Sequence, residues 1–244
     1  MNLVIDIGNS RIKLALFSER DLMFNVPLDE VKPEQIKVLL DEHDDLKHAI
    51  VSSVRDYPEE LKSFLENNFE NFIELNADTP VPLINCYETP ETLGKDRLAA
   101  AVGATEIFPG RNVLVIDAGT AITYEMVTAE NKYLGGNISP GLTTRFKALH
   151  HFTGKLPLVD PTDDFPILGT NTQSAIQAGV QIGLLFEVQQ YIDYFNTNYE
   201  NLEIIITGGD AKFFDNKLKN SIFVHFNLTL IGLNRILEYN VKKT

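Results

Sequence analysis

An apolar run from Leu3 to Ile5 stops at Asp6, bends through Gly8, Asn9 and Ser10, and resumes with alternating apolar residues from Ile12 to Phe17. Alternation at period two marks strands with one buried face, so this opening predicts a β-hairpin. DLMFNVPL, starting at Asp21, predicts a third strand, PEQIKVLLDEH an amphipathic helix, and HAIVSSV a buried strand. In YPEELKSFLENNF the residues Leu61, Phe64, Leu65 and Phe69 fall on one helical face, and FIEL follows as a strand. Pro80, Pro82 and Pro90 predict an extended loop over 76–92, which leads into the Ala-rich helix GKDRLAAAVGATEIF.

The opening pattern then returns. NVLVIDAGTAITYEMV, starting at Asn112, repeats the apolar run, the Asp-x-Gly bend with a hydroxyl residue, and the alternating strand, at a spacing of roughly 110 residues. KYLGGNISPGL predicts a third strand and TTRFKALHHF a helix. A long helix over about 172–198, with Thr172 at its N-cap, precedes the buried strand EIIITGGD, the short strand IFVHF and a closing amphipathic helix. Two βββαβα halves, 1–109 and 110–244, account for this order in an α/β fold. Facing halves would bring both Asp-x-Gly bends into one nucleotide cleft.

The 244 residues, 44% hydrophobic and 23% charged, can bury a large core without disulfides, and Cys86 is the single cysteine. No apolar stretch is long enough to span a bilayer and no basic, apolar leader opens the chain, which predicts a cytoplasmic protein with no membrane partner. The net charge of -13 works against non-specific nucleic-acid binding, which depends on many Lys and Arg contacts to phosphates, and predicts no nucleic-acid partner.

At the first bend, Asp6 can hold magnesium, Gly8 lets backbone N–H groups approach an anion, and Ser10 adds a hydroxyl. A ligand-free Asx-type turn is the competing reading. Arg11 and Lys13 share a strand face opposite Ile12 and Leu14, where solvent exposure would suffice to explain Arg11. His150 and His151 have no partner at metal-site spacing and read as a polar helix end. No G-x-x-x-x-G-K-[ST] loop is present, which argues against a P-loop kinase.

Six motifs in order, DIGNS, YETPETLGKDR, DAGTAIT, GGNISPGL, NTQSAIQAG and TGGDA, make the whole chain resemble the actin, sugar-kinase and acetate-kinase superfamily, and within it the type III pantothenate kinases. The resemblance implies two ribonuclease H-like domains and transfer of the ATP γ-phosphoryl group to pantothenate, the first step towards coenzyme A. It implies ATP binding through Asp6, Ile7, Gly8, Asn9, Ser10, Arg11, Ile12, Lys13 and Thr120, with magnesium at Asp6 and a potassium or ammonium ion at Asp117. Asp96 matches the base, and Tyr87, Gly94, Lys95, Asp96 and Arg97 match substrate-binding positions. Thr172 matches a residue that reaches pantothenate bound to the neighbouring subunit, implying a homodimer. Gly208 and Gly209 would let adenosine lie against the backbone. A superfamily kinase acting on another small alcohol or carboxylate, and a nucleotide-gated accessory protein without kinase activity, are the alternatives.

Overall fold

The computed structural model describes residues 1–9 and 11–242, and the expected amino-terminal hairpin forms from β1 (Asn2–Ile7) and β2 (Ile12–Ser18), paired antiparallel from Asn2↔Phe17 to Ile7↔Ile12. β3 (Asp21–Leu28) extends the sheet beyond β2, while β4 (His48–Ser53) and β5 (Asn71–Glu74) run parallel on the other side of β1. The order is β3-β2-β1-β4-β5. Helices α1 (Pro33–Glu42), α2 (Glu59–Asn68) and α3 (Lys95–Ile107) complete this stretch, with a short β6 (Ile84–Asn85) and a 3-10 turn (Pro90–Thr92) inside the segment expected to be a plain loop. The backbone of that segment is tied down where Ile84 N donates to Asn131 O and Cys86 N to Tyr133 O.

From Asn112 the strands β7 (Asn112–Ala118), β8 (Ala121–Val127) and β9 (Lys132–Pro140) lead to α4 (Leu142–Phe152) and α5 (Thr172–Asn198). β10 (Leu202–Thr207), a one-turn α6 (Ala211–Phe214), β11 (Phe223–Val224) and α7 (Leu228–Val241) follow. This sheet is ordered β11-β10-β7-β8-β9-β6, so β9-β8-β7-β10-β11 reproduces the first sheet strand for strand. The burial patterns repeat too, with four buried residues before a half-buried Asp6 in β1 and four before a half-buried Asp117 in β7. Thr172 is not the N-cap of α5. Asn171 is, because its side chain accepts from Ser174 N at 2.9 Å, and Thr172 is the first helical residue.

Two compact units result, one of 1–110, 127–134 and the residues from Asn227 onward, the other of 111–126 and 135–226. The carboxy-terminal helix therefore groups with the first unit, not with the second half of the chain as a cut at 109/110 would have it. Hydrophobic burial is the reason: Leu230, Leu233, Ile236 and Leu237 of α7 share a core with Val4, Ala15, Phe17, Ile50, Ala99 and Val102. The opposite face of the first sheet packs Leu3, Ile5, Ile7, Leu14 and Leu16 against Ile36, Leu61 and Leu65 of α1 and α2. Covered on both faces, β1 reads as a nearly continuous apolar run. The second unit has its own core, in which Ile176, Val180, Leu184, Val188 and Ile192, spaced four apart on α5, meet Leu114, Ile116, Ile204 and Ile206.

The α3 and α7 backbones approach closely because glycines line the crossing. A Cβ added at Gly232 would lie 1.8 Å from the Ala99 carbonyl oxygen, and one at Gly103 2.3 Å from that of Leu228. In an open helix Gly232→Ala would gain about 1 kcal/mol. Here the helices must separate, which costs about 3 kcal/mol, so a net loss of about 2 kcal/mol is expected in denaturant unfolding. An unchanged or raised midpoint would contradict this packing.

Candidate active site

Asp6 does not stand alone on its sheet face. Lateral register places Lys13 of β2 and Ser52 of β4 on either side of it, so the three side chains form a row across three strands. Ile7 and Ile12 are 1% and 6% exposed and belong to the core on the opposite face, so only their backbone is available to a ligand. At the bend Gly8 N donates to Arg11 O at 3.0 Å, and a Cβ at Gly8 would come within 3.1 Å of that same oxygen. Asn9 and Arg11 are exposed and Lys13 is half-buried, while Ser10 lies outside the described residues.

The second bend is one residue shorter, with Gly119 N donating to Ala121 O at 2.9 Å. Thr120 is exposed, and its carbonyl accepts from Gly141 N at 3.0 Å and from Thr144 Oγ at 2.6 Å, which seats the start of α4 on the bend. Only glycine fits at 141, where a Cβ would lie 1.9 Å from Gly119 O. Asp117 is in register beside Thr207. Past Thr207 the chain turns at Gly208 with φ +93, where a Cβ would meet Ala118 O at 2.3 Å and Asp117 Oδ1 at 2.4 Å. Gly208 thus makes room for the Asp117 carboxylate, whereas a Cβ at Gly209 would meet nothing within 4 Å. Asp210 N donates to Ala118 O, and burial raises the Asp210 carboxyl above its ordinary pKa.

In the first unit, the β6 pairing holds the Tyr87 loop in place, and Tyr87 N donates to Asn85 Oδ1 at 3.0 Å. The Arg97 guanidinium lies 5.6 Å from the centre of the Tyr87 ring, which itself is 6.2 Å from that of Tyr133. Arg97 is 6% exposed, a burial rare for an unpaired cation and usual for one held by aromatic faces and polar partners. Asp96 occupies the first turn of α3, where its Oδ1 accepts from Arg97 N at 2.9 Å. Gly94 caps this turn, and a Cβ there would stand 2.6 Å from Asp96 Oδ1. Lys95 lines a polar cavity of about 470 Å³ with Arg55, Tyr57, Lys62 and Glu74. Tyr87, Gly94, Lys95, Asp96 and Arg97 thus share the first unit with Asp6, while Asp117, Thr120 and Thr172 belong to the second; Thr172 is exposed.

Magnesium suits a single carboxylate, because it keeps several waters and takes the rest of its shell from nucleotide phosphates. Asp6, a single half-buried carboxylate at the end of β1, fits that requirement. Among the described residues no group of three His, Cys, Asp or Glu side chains forms a ready-made metal cage. His150 Nδ1 donates to Leu156 O, 2.8 Å away, in the exposed last turn of α4. No helix among the described residues is long and apolar enough to cross a membrane.

Three contributors were not visible in the pattern of motifs. Ser52 sits in an apolar strand, and only register places it beside Asp6. Asp210 belongs to the TGGDA motif, but nothing in the motif shows that its carboxyl is half-buried behind the Gly208 turn. Arg145 donates to Pro140 O at 2.7 Å and Ser139 Oγ at 2.9 Å and pairs with Glu187, which also accepts from Tyr124 OH at 2.9 Å. That network anchors the turn leading to Gly141, and burial beside Glu187 pushes the Tyr124 phenol well above its ordinary pKa.

The fold recurs in solved structures. A Campylobacter jejuni protein described as a Baf family transcriptional activator superposes with a TM-score of 0.61, at 24% identity, over 98% of this chain and 99% of its own. A glucokinase from an Antarctic psychrotroph does so at 0.54, with 12% identity and 98% of each chain covered. At such identities the likeness concerns the ribonuclease H-like fold alone. Sequence reaches further: a type III pantothenate kinase from Phocaeicola vulgatus is 47% identical over 242 residues, 99% of this chain and all of that one. The pattern describing type III pantothenate kinase matches residues 2–194. With both acidic bends, the Gly-Lys-Asp-Arg turn and full-length similarity in agreement, the chain belongs to the type III pantothenate kinase family.

Proposed function

We infer that the protein transfers the γ-phosphoryl group of ATP to the terminal hydroxyl of pantothenate, giving 4'-phosphopantothenate and ADP in the first step of coenzyme A synthesis. The observation that carries the reading is the turn at the start of α3, where a half-buried acid, Asp96, adjoins a buried arginine, Arg97, packed on Tyr87. Asp96 accepts the hydroxyl proton as the alcohol oxygen bonds to the γ-phosphorus and the bond to the bridging oxygen of ADP breaks. A loose transition state needs the proton removed late, so the acid acts chiefly by aligning the hydroxyl. Arg97 presents a planar fork that matches the pantothenate carboxylate, and Tyr87 fixes its plane. Gly94 and Lys95 complete this wall.

Asp6 would hold magnesium, and the bend that follows it would approach the phosphates at Gly8 and Asn9, with Lys13 adding charge from the Asp6 face. Magnesium, when bound, neutralises the phosphate oxygens. Asp117 takes a potassium or ammonium ion, which offsets repulsion between its carboxylate and the nucleotide, and Thr120 hydrogen-bonds a phosphate. The enzyme acts as a homodimer in which Thr172 reaches the partner's pantothenate. Exposed apolar side chains on α5, Phe186 at 64% and Tyr194 at 59%, support an interface there, and a monomeric sedimentation coefficient at assay concentration would contradict it.

ADP release measured with pantothenate, glucose and acetate in turn tests the activity. Turnover is expected with pantothenate alone and faster in potassium than in sodium, with the phosphorylated product seen by mass spectrometry. A preference for glucose or acetate would move the protein to another branch of the superfamily, and ATP binding without transfer would make it an accessory protein.

A further inference from the structure

Ser52 lies on β4 in parallel register with Asp6, on the face that Asp6 shares with Lys13. It is 0% exposed, and its hydroxyl has no hydrogen-bond partner among the described residues. Leaving a buried hydroxyl unsatisfied is unfavourable, and alanine at this position would avoid that penalty. Penalties of this kind are carried where a polar group serves the loaded state of a site.

The other half makes the same placement. Thr207 on β10 stands in parallel register beside Asp117 on β7 and is 2% exposed. Since β4 flanks β1 as β10 flanks β7, each acidic bend has a buried hydroxyl side chain on the parallel strand next to it. A hydroxyl needed only to fill space would not have to recur at the position beside the acid.

We propose that Ser52 is a positioning residue for Asp6, whose carboxylate accepts the Ser52 Oγ–H when the magnesium nucleotide is bound. Outer partners of this sort orient a metal-binding carboxylate and are worth about 10- to 100-fold in affinity. The inference rests on the reading of Asp6 given above, and it separates free-chain stability from ligand affinity. Ser52→Ala relieves the unsatisfied hydroxyl in the free chain and removes the donor from the loaded one. The two effects have opposite signs.

Calorimetric titration with MgATP in the absence of pantothenate, paired with thermal melting of the ligand-free protein, tests it on the parent chain, Ser52→Ala, Ser52→Thr and Asp6→Asn. Ser52→Ala is expected to melt at or above the parent temperature yet bind MgATP about 10-fold or more weakly. Ser52→Thr, which keeps the hydroxyl, is expected to retain affinity even where its extra methyl lowers the melting temperature. If Ser52→Ala binds MgATP like the parent while Asp6→Asn binds poorly, Ser52 has no positioning role and the Asp6 assignment stands. If neither variant loses affinity, the Asp6 assignment itself is wrong. A lowered melting temperature for ligand-free Ser52→Ala would also overturn the proposal, by showing that the hydroxyl is already satisfied.

Discussion

Asp96→Asn is expected to reduce kcat for pantothenate phosphorylation by about 10²- to 10⁴-fold, the usual contribution of a general base. The amide keeps an oxygen for the Arg97 N–H that Asp96 Oδ1 now accepts at 2.9 Å, so the turn need not rearrange. What disappears is the charge in the first helical turn, worth about 0.3–1 kcal/mol of stability. Steady-state kinetics and thermal melting together make the outcome specific: a large fall in kcat with a nearly unchanged KM for pantothenate and a small change in melting temperature. Should kcat remain at the parent value, the proton goes elsewhere and Asp96 is a helix-capping acid. A rise in KM alone would assign it to substrate binding.

The second large effect should come from a residue with no side chain. Gly208→Ala forces a Cβ into a backbone at φ +93, within 2.3 Å of Ala118 O and 2.4 Å of Asp117 Oδ1. The left-handed conformation and the collision together are expected to cost about 2–4 kcal/mol. Relief can come only by moving the Asp117 carboxylate or the β10 turn, so the potassium activation proposed for the Asp117 site should be lost as well. Denaturant unfolding and turnover measured across potassium concentrations check both effects. Gly209→Ala is the control, because an added Cβ there meets no atom within 4 Å. Equal behaviour of the two variants would show that Gly208 does not shape the Asp117 site.

Much of the fold was legible because its strands and helices obey simple periodicities. β1 and β7 announce themselves as apolar runs cut by Asp6 and Asp117, and the equal strand orders of the two sheets bear out the internal repeat. Periodicity failed where local signals were outweighed. β6, two residues long, has no pattern of its own and exists because Ile84 and Asn85 pair with Lys132 and Tyr133. Thr172 and Asn171 are both acceptable helix caps, and the Ser174 amide chose the asparagine. Ile7 and Ile12 lie in the stretch proposed to bind ATP, yet their side chains belong to the core, because neighbours along a strand face opposite ways.

By itself the sequence determined the longer strands and helices, the repeat, the family and the chemically capable residues, since those depend on residue type and near spacing along the chain. Lateral partners were decided by the tertiary structure: Ser52 beside Asp6, Thr207 beside Asp117, Tyr87 against Arg97, and α7 buried on α3 with the first unit. Such neighbours are brought together by hydrogen-bond register and the burial of apolar faces between segments far apart in the chain, and no local periodicity encodes either.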